Sequence, residues 1–321
     1  MNAKRIAVLT SGGDAPGMNA AIRAVVRQGI YHNLEVVGVV RGYQGLINGK
    51  FKPLRIGSVA GIISRGGTVL KTARSEEFKT EQGFGKAISN LKQNNIDALI
   101  VIGGDGSMQG AQKISDAGIP TVVIPATIDK DMKGTEYTLG FDTALNTILE
   151  AVNKIRDTTF SHDRVAIIEV MGRQSGQLAL MAGIACGAEA VLIPEVPFDL
   201  DKVSAGLIKS YKRGKQYSII IVAEGAGKGA DVASQIAERT SFSPCVTVLG
   251  YIQRGGNPSA TDNIFGSRMG SVAVESVLAG QTNCLTSVQA GKVVAIPYEQ
   301  TSHERFLVDE SLQELVHVLA T

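Results

Sequence analysis

The sequence has little of several features that mark particular classes of protein: it has no tryptophan, three cysteines and a formal net charge of +2. The cysteines, Cys186, Cys245 and Cys284, are far apart and form no CxxC pair. This argues for reduced thiols in a cytosol and against a disulfide framework or a zinc site. The small net charge draws the chain neither to nucleic acid nor to a membrane, so any anion site must be local.

Long apolar segments are also missing. No signal peptide precedes the first β-branched run, and no hydrophobic run approaches the length that spans a membrane. The sequence therefore predicts a soluble, cytoplasmic protein with no membrane or nucleic-acid partner. What is present, 44% hydrophobic residues and 37 glycines in 321 residues, fits a globular α/β protein with many tight turns.

Short β-branched segments alternate with segments of helical periodicity, and most of them are continuously apolar, as in strands buried on both faces. The predicted strands are Ile6–Thr10, Glu35–Val40, Ala98–Ile102, Thr121–Pro125, Val165–Val170, Ala190–Ile193, Ser218–Glu224, Val246–Gly250 and Lys292–Ile296. The alternation predicts doubly wound, largely parallel sheets. Nine strands in a chain of this length favour two α/β domains over one.

Polar clusters follow five of these strands. They are Thr10–Asn19, Gly103–Ser107, Ala126–Asp131, Met171–Gly176 and Glu224–Gly229. Ligands of parallel α/β sheets bind beyond the carboxyl ends of the strands, so five clusters at such ends predict a site.

Two of the clusters contain glycine-rich turns, Gly12–Gly13 and Gly103–Ser107, that would let backbone N–H groups approach an anion at a helix N-terminus. For either turn alone, the alternative is an ordinary strand-to-helix turn with Asp or Ser as the helix N-cap. No GK[ST] follows, so the lysine of a Walker loop is missing. Asp105 could compensate by holding Mg²⁺ on nucleotide phosphates.

The segment TIDKD places Asp129 and Asp131 two residues apart. In an extended backbone their side chains lie on one face while Lys130 points away. Two carboxylates repel each other unless a cation or substrate compensates, so the pair predicts a general base toward a hydroxyl and a second group near a metal. The alternative is a solvated loop with turn-forming aspartates.

Arginines also stand at predicted strand ends: Arg164 begins a strand, Arg173 follows it, and Arg254 lies in IQRGG. Their planar guanidinium groups suit a phosphate monoester, because each can pair with two oxygens. Arg23 and Arg27 share one helix face at i, i+4, which taken alone is typical of a solvated face.

The motifs LTSGGDAPGMNAAIRAVVR, GGDGS, TIDKD, GTEYTLGFDTALNT, IRDTTFSH, EVMGR, VAEG and VLGYIQRGG occur in an order that resembles the bacterial ATP-dependent 6-phosphofructokinase family over nearly the whole chain. The resemblance implies two Rossmann-like domains with the active site between them. The nucleotide-binding domain would comprise residues 1–138 and 251–301, and the sugar-phosphate-binding domain residues 139–250 and 302–321. It also implies ATP-dependent phosphorylation of fructose 6-phosphate at its 1-hydroxyl in glycolysis. Mg²⁺ would be the cofactor, ADP or phosphoenolpyruvate the effector, and a homotetramer the assembly.

The resemblance further implies roles for individual residues. The nucleotide would be bound by Gly13, Arg74, Ser75, Gly104, Asp105, Gly106 and Ser107, with Asp105 as the metal ligand. The sugar phosphate would be bound by Thr127, Ile128, Asp129, Arg164, Met171, Gly172, Arg173, Glu224, Cys245, Tyr251 and Arg254. Asp129 would be the general base, with Arg173 and Thr127 as further catalytic groups, and Arg164 would reach a neighbouring subunit's active site. The effector site would comprise Arg23, Arg27, Arg156, Gly187, Glu189, Arg213 and Lys215.

Four positions depart from the family pattern. Lys130 stands where the family has asparagine, Cys245 where it usually has arginine, Tyr251 where it has histidine, and Ser75 where an aromatic residue is common. These departures keep two alternatives open: a catalytically weak regulatory paralogue, and the same chemistry on another ketohexose phosphate such as tagatose 6-phosphate. A third reading, an NAD or lipid kinase, shares only GGDG[ST]. The small residues at Gly106 and Ala126 leave room for a nucleotide, which favours ATP over pyrophosphate as the donor.

Overall fold

The computed structural model describes residues 3–301 and 308–320. Its strands are β1 Arg5–Thr10, β2 Glu35–Val39, β3 Phe51–Leu54, β4 Ala98–Gly103, β5 Thr121–Pro125, β6 Val165–Val170, β7 Ala190–Leu192, β8 Ser218–Ala223, β9 Cys245–Val248, β10 Cys284–Gln289 and β11 Lys292–Pro297. Its helices are α1 Met18–Tyr31, α2 Gly42–Ile47, α3 Glu81–Gln93, α4 Asp105–Asp116, α5 Phe141–Ser161, α6 Gln177–Cys186, α7 Leu200–Lys212, α8 Gly229–Arg239, α9 Ala260–Ala279 and α10 Glu310–Leu319. Short 3₁₀ turns occur at Ile56–Val59, Glu77–Lys79, Gly250–Arg254 and Tyr298–Gln300.

The chain divides into two compact units, each built on its own sheet. The first comprises Met1–Thr143 and Arg254–Arg305, and the second Ala144–Gln253 and Phe306–Thr321. The boundaries predicted from the sequence fall after residues 138, 250 and 301. The last of these adjoins residues 302–307, which lie outside the described part of the chain.

The sheet of the first unit has seven strands in the order β11-β10-β5-β4-β1-β2-β3. The five inner strands pair in parallel, whereas β3 and β11 are antiparallel edges. Every residue of β4 and β5 is buried, because helices cover both faces of the sheet, and this explains their unbroken apolar sequences. Full burial of a side chain such as Leu99 or Ile100 contributes about 1.5–3 kcal/mol to folding.

The sheet of the second unit has four parallel strands in the order β7-β8-β6-β9, so β9 is an edge. Its central strand β8 is buried along its whole length. The two sheets confirm the predicted fold class, a largely parallel α/β architecture. No helix within the described ranges is long and apolar enough to cross a membrane.

Two of the eleven strands in the described residues, β3 and β10, were not predicted. β3 contains Pro53, which cannot donate to a strand ladder, and it lies at the sheet edge where this is tolerated. The apolar sequence of β10 is interrupted by Thr286 and Ser287. Their buried hydroxyls donate to the carbonyls of Val123 and Gly134. Side-chain hydroxyls satisfied in this way hide a buried strand from a search for continuous apolar runs.

Candidate active site

The turn after β1 brings Gly13, Asp14 and Arg254 together within the first unit. A Cβ atom at Gly13 would lie 2.7 Å from Nη2 of Arg254, so this position requires glycine as long as the guanidinium stays there. Nη2 of Arg254 also pairs with Oδ1 of Asp14 at 2.6 Å. The structure thus places Arg254, which the resemblance assigns to the sugar 6-phosphate, beside the first glycine turn.

The turn after β4 contains the motif GGDGS and leads into helix α4. Gly104 is the N-cap of α4, and it has no side chain that could accept a hydrogen bond from the first turn of the helix. The alternative of an Asp or Ser N-cap is therefore wrong: Asp105 is the first helical residue, and its Oδ2 accepts a hydrogen bond from Gln109 at 2.7 Å. A helix N-terminus with a glycine N-cap presents backbone N–H groups and the positive end of the helix dipole to an anion.

Gly103 and Gly106 in this turn differ in the space around them. A Cβ at Gly103 would lie 2.6 Å from both the Ser107 hydroxyl and the Ser11 carbonyl oxygen, whereas a Cβ at Gly106 meets no atom within 4 Å in the described part of the chain. Gly103 therefore serves close packing of β4 against the β1 turn. The open side of Gly106 agrees with room for a nucleotide.

The segment before α3 lies across the carboxyl end of β1. The Thr10 hydroxyl donates to the Lys71 carbonyl at 3.0 Å, and the Thr72 hydroxyl donates to the Gly12 carbonyl at 2.8 Å. These bonds hold Lys71 and Thr72 against the β1 end and the glycine turn, and the exposed Arg74 follows Thr72 by two residues. The hydroxyl of Ser75 donates to Gln44 Oε1 at 2.7 Å, so it is engaged within the protein.

The TIDKD loop after β5 is not extended. The backbone bends at Ile128 and Asp129, and Lys130 has a left-handed φ of 51°. The argument that extended backbone places Asp129 and Asp131 on one face is therefore wrong. Asp129 is 5% exposed, and its N–H donates to the Thr127 hydroxyl at 3.1 Å, which fixes the turn.

Lys130 is half-buried, and its Nζ lies 5.0 Å from the centroid of the Phe141 ring. Burial lowers the pKa of its ammonium group, and the charge of Glu136 partly opposes this. Left-handed backbone costs a lysine more than it costs an asparagine, the residue usual at this position in the family that the motifs resemble.

In the second unit, the loops after β6 and β8 meet at Arg173. Its φ is 53°, and its N–H donates to Oε1 of Glu224 at 2.8 Å. Gly172 has φ 140°, and a Cβ there would lie 2.3 Å from the Ser175 carbonyl oxygen. A Cβ at Gly225 would lie 2.0 Å from the Arg173 carbonyl oxygen. The backbone of the exposed Arg173 is thus held in an uncommon conformation from both sides, and such strain is often found at functional sites.

Two other predicted sugar-phosphate residues lie at the amino ends of the strands of the same sheet, whereas Arg173 follows a carboxyl end. Arg164 precedes β6, and Cys245 begins β9 opposite Ala166. The six residues of β6, about 20 Å of strand, separate this amino end from the carboxyl end that Arg173 follows. The Cys245 thiol is partly buried and contacts the Val165 carbonyl oxygen at 3.6 Å.

Met171 and Tyr251 complete the predicted sugar contacts of this unit. The Met171 N–H donates to Gln253 Oε1 at 3.2 Å, and Gln253 is fully buried. Tyr251, in the 3₁₀ turn after β9, is 78% exposed, so its hydroxyl can be reached from outside the unit.

The predicted effector residues fall into two groups. Arg23 and Arg27 lie on α1, in the first unit. In the second unit, a guanidinium nitrogen of Arg156 donates to the Cys186 carbonyl, and Lys215 pairs with the buried carboxylate of Glu189. The remaining members are Gly187, which ends α6 with φ 65°, and Arg213, which donates to the Ser210 hydroxyl at 3.3 Å.

A magnesium ion would depend on Asp105. In the described ranges, no group of three or more His, Cys, Asp or Glu side chains is arranged to hold a metal. Mg²⁺ is commonly bound by one or two carboxylates together with substrate phosphates, so a single half-buried aspartate at a helix N-terminus fits that mode.

The sequence model described as Phosphofructokinase matches residues 5–277. The chain belongs to the phosphofructokinase family. It is 52% identical to the ATP-dependent 6-phosphofructokinase of Bacillus pumilus over 317 residues, which cover 99% of both chains. It is 53% identical to the ATP-dependent 6-phosphofructokinase of Halothermothrix orenii over 330 residues, again covering 99% of both.

Phosphofructokinases also share its structure. The phosphofructokinase of Saccharomyces cerevisiae superposes with a TM-score of 0.86 at 38% identity, covering 98% of this chain and 46% of the yeast chain. The chain thus spans about half the length of the yeast chain that it matches. The family resemblance inferred from the motifs is confirmed.

The motifs did not single out Asp14 or Asp262. Asp14 stands inside the turn SGGDAPG, and its partner Arg254 lies 240 positions away, so no local pattern indicated this ion pair. Asp262 stands three residues after Ser259, the N-cap of α9, a spacing that suggests a capping box. Its carboxylate instead accepts hydrogen bonds from residues 137–143.

Proposed function

We propose that this phosphofructokinase transfers the γ-phosphoryl group of ATP to the 1-hydroxyl of fructose 6-phosphate, forming fructose 1,6-bisphosphate in glycolysis. The observation that carries the proposal is the 52% identity, over 99% of both chains, to a protein named ATP-dependent 6-phosphofructokinase. The buried Asp129 and the restrained Arg173 backbone support it with suitable chemical groups.

The nucleotide phosphates bind at the N-terminus of α4, where Gly104, Gly106 and Ser107 contact them. Gly13 and Arg74 contribute from the β1 side, and Ser75 borders the same segment. Asp105 holds Mg²⁺, which when bound neutralises charge on the phosphate oxygens. The support is the glycine N-cap of α4 and the open space at Gly106.

Asp129 accepts the proton of the 1-hydroxyl as that oxygen attacks the γ-phosphorus. The new P–O bond forms as the bond to ADP breaks, and Arg173 compensates the charge on the transferring phosphoryl group. Thr127 fixes the Asp129 backbone through the hydrogen bond already described. Positioning and charge neutralisation of this kind supply nearly all of the catalysis in phosphoryl transfer.

The sugar phosphate is bound by groups from two chains. Ile128, Met171, Gly172, Glu224, Tyr251 and Arg254 act with the catalytic groups of one chain. Arg164 and Cys245 act on a neighbouring subunit of a homotetramer. This accords with their position at the amino ends of the strands, since Arg173 follows the carboxyl end of β6. An inter-subunit site formed by Arg23, Arg27, Arg156, Gly187, Glu189, Arg213 and Lys215 binds ADP or phosphoenolpyruvate.

A second candidate is the same reaction on another ketohexose phosphate, such as tagatose 6-phosphate. The observation that favours it is the partly buried thiol of Cys245 in place of the family's arginine. In this second candidate, the change at Cys245 alters which sugar phosphate binds, whereas the donor site and Asp129 are unchanged.

The deciding experiment is a coupled assay that offers ATP or pyrophosphate with fructose 6-phosphate or tagatose 6-phosphate. We expect the highest kcat/KM with ATP and fructose 6-phosphate. In the Asp129→Asn variant, kcat should fall by about 10²–10⁴-fold with a modest change in KM, as loss of a proton acceptor does. Preference for tagatose 6-phosphate would favour the second candidate. Turnover with pyrophosphate alone would overturn the donor assignment, and no turnover at all would indicate a regulatory paralogue.

A further inference from the structure

Asp262, in the first turn of α9, is fully buried, and each of its carboxylate oxygens accepts two hydrogen bonds. Oδ1 accepts from the Tyr137 hydroxyl at 2.8 Å and from the Gly140 N–H at 2.7 Å. Oδ2 accepts from the Thr143 N–H at 2.9 Å and from the Thr143 hydroxyl. A carboxylate is buried at high cost unless donors surround it, and these donors all come from residues 137–143.

The segment held by Asp262 packs on the TIDKD loop. The Thr138 hydroxyl donates to the Thr127 carbonyl at 2.8 Å. Leu139 forms a bridge with Ala126, and its N–H donates to the Pro125 carbonyl at 3.0 Å. The segment therefore forms a second layer of backbone contacts along the loop that carries Asp129.

The absence of a side chain at Gly140 allows the segment to pack closely on its neighbours. A Cβ on Gly140 would lie 3.2 Å from Cγ2 of Ile128, the residue before Asp129, and 2.7 Å from Cβ of Ala15. The φ of Gly140 is 100°, a conformation that only glycine adopts easily. The Gly140 N–H donates to Asp262, and the Thr138 hydroxyl, two residues earlier in the same segment, donates to the Thr127 carbonyl. The Thr127 hydroxyl accepts the Asp129 N–H, so hydrogen bonds and short backbone segments connect the Asp262 carboxylate with the backbone of Asp129.

We infer that Asp262 is a positioning residue for phosphoryl transfer, whose carboxylate fixes residues 137–143 and thereby holds Asp129 within reach of the acceptor hydroxyl. The inference rests on the proposed function, in which Asp129 is the general base. Proton abstraction needs a heavy-atom separation of about 2.6–3.2 Å. A displacement of about 1 Å can cost roughly 10²-fold in rate. A loop beside a substrate site keeps such tolerances only if buried groups hold it.

The test is the isosteric variant Asp262→Asn. The new NH₂ group faces N–H and O–H donors, so one side of the network is broken without a change of volume. We expect kcat to fall by about 10–100-fold, while the KM values for ATP and fructose 6-phosphate change by less than about threefold, the pattern of an interaction that matters in the transition state. Tyr137→Phe removes one of the four donors and should give a smaller loss of kcat.

Asn90→Ala is the matched control in the same unit. Its Nδ2 donates to the carbonyls of Leu46 at 2.8 Å and Ile47 at 3.0 Å, so the variant also breaks a side-chain network that holds backbone groups. Assays run equally far below each variant's unfolding temperature separate stability from positioning. The inference is wrong if Asp262→Asn lowers kcat no more than Asn90→Ala does.

Amide hydrogen exchange without substrate separates failure of this inference from failure of the proposed function. In Asp262→Asn, the N–H groups of Asp129 and Leu139 should exchange faster than in the wild type, and in Asn90→Ala they should not. Unchanged exchange overturns the inference whatever the activity. Faster exchange in a protein whose wild type does not phosphorylate fructose 6-phosphate supports the positioning of the loop and overturns the proposed function instead.

Discussion

The N–H of Arg173 donates to Oε1 of Glu224 at 2.8 Å while Arg173 occupies the left-handed region at φ 53°. A non-glycine residue in this conformation costs about 1–2 kcal/mol, which the surrounding contacts must offset. Glu224 therefore has a role besides its proposed contact with the sugar, because it accepts the hydrogen bond that the Arg173 backbone N–H donates. The arginine proposed to meet the transferring phosphoryl group is held by its main chain, and its side chain is exposed.

The first prediction concerns this contact. Glu224→Ala should lower kcat by about 10–100-fold, since a hydrogen bond to a charged group contributes about 1.5–3 kcal/mol. Glu224→Gln keeps an oxygen acceptor for the Arg173 N–H and should lose much less. Steady-state kinetics with fructose 6-phosphate give kcat and KM separately.

Glu169→Ala is the matched control, because Oε2 of Glu169 accepts the Gly229 N–H at the same 2.8 Å in the same unit. It should leave kcat near the wild-type value. Equal rises in KM for Glu224→Ala and Glu224→Gln, with kcat unchanged, would show that Glu224 acts through the sugar alone.

The second prediction is that Lys130→Asn stabilises the first unit. Asparagine tolerates φ 51° better than lysine, so the variant should gain about 1 kcal/mol at neutral pH. That corresponds to a Tm increase of about 2–4 °C for a unit of this size. Thermal unfolding followed by circular dichroism measures it.

The pH dependence of this gain has a definite sign. Burial depresses the Lys130 pKa in the folded state, so the lysine penalises folding while it is protonated, and the penalty disappears as pH rises toward the pKa of the unfolded chain. The advantage of asparagine should therefore shrink between neutral pH and about pH 10.5. A gain that is constant with pH would assign the whole effect to the backbone, and no gain at any pH would contradict the prediction.

Local sequence patterns could predict most of the sheets but little of the long-range pairing. Unbroken apolar runs such as β4 predict buried strands because two covered faces leave no polar position. The pair Arg254–Asp14 joins residues 240 positions apart, and nothing near either residue indicates the other. The left-handed Lys130 was missed for a related reason. Two aspartates at i, i+2 carry the same pattern in an extended and in a bent backbone, and tertiary contacts decide between the two.

The third prediction compares two glycines of the β4–α4 turn. Gly106→Asp adds a carboxylate where no described atom lies within 4 Å, so the protein should fold normally. The new charge repels the nucleotide phosphates, and we expect the KM for ATP to rise by at least about tenfold, or 1.4 kcal/mol. Gly106→Ala should leave both Tm and KM nearly unchanged.

Gly103→Ala provides the contrasting result. Its Cβ would lie 2.6 Å from the Ser11 carbonyl oxygen, so Tm should fall. An unaltered KM for ATP in Gly106→Asp would place the nucleotide phosphates elsewhere.

The last prediction concerns Cys245, at the edge of the second sheet. A thiol is a weak donor and offers no charge to a phosphate, whereas an arginine at this position would stand beside Arg164 at the same end of the sheet. Cys245→Arg should therefore lower the KM for fructose 6-phosphate by about tenfold, or roughly 1.4 kcal/mol. The contact is made in the ground and transition states alike, so kcat should change little.

Val246→Arg is the control for charge alone, because adjacent residues of a strand point to opposite faces and Val246 is 38% exposed. It adds the same guanidinium to β9 and should leave the KM unchanged. Equal effects of the two variants would indicate general electrostatic attraction of the sugar phosphate. A higher KM in Cys245→Arg, together with better turnover of tagatose 6-phosphate by the wild type, would show a pocket adapted to the cysteine. The second candidate substrate would then be favoured over fructose 6-phosphate.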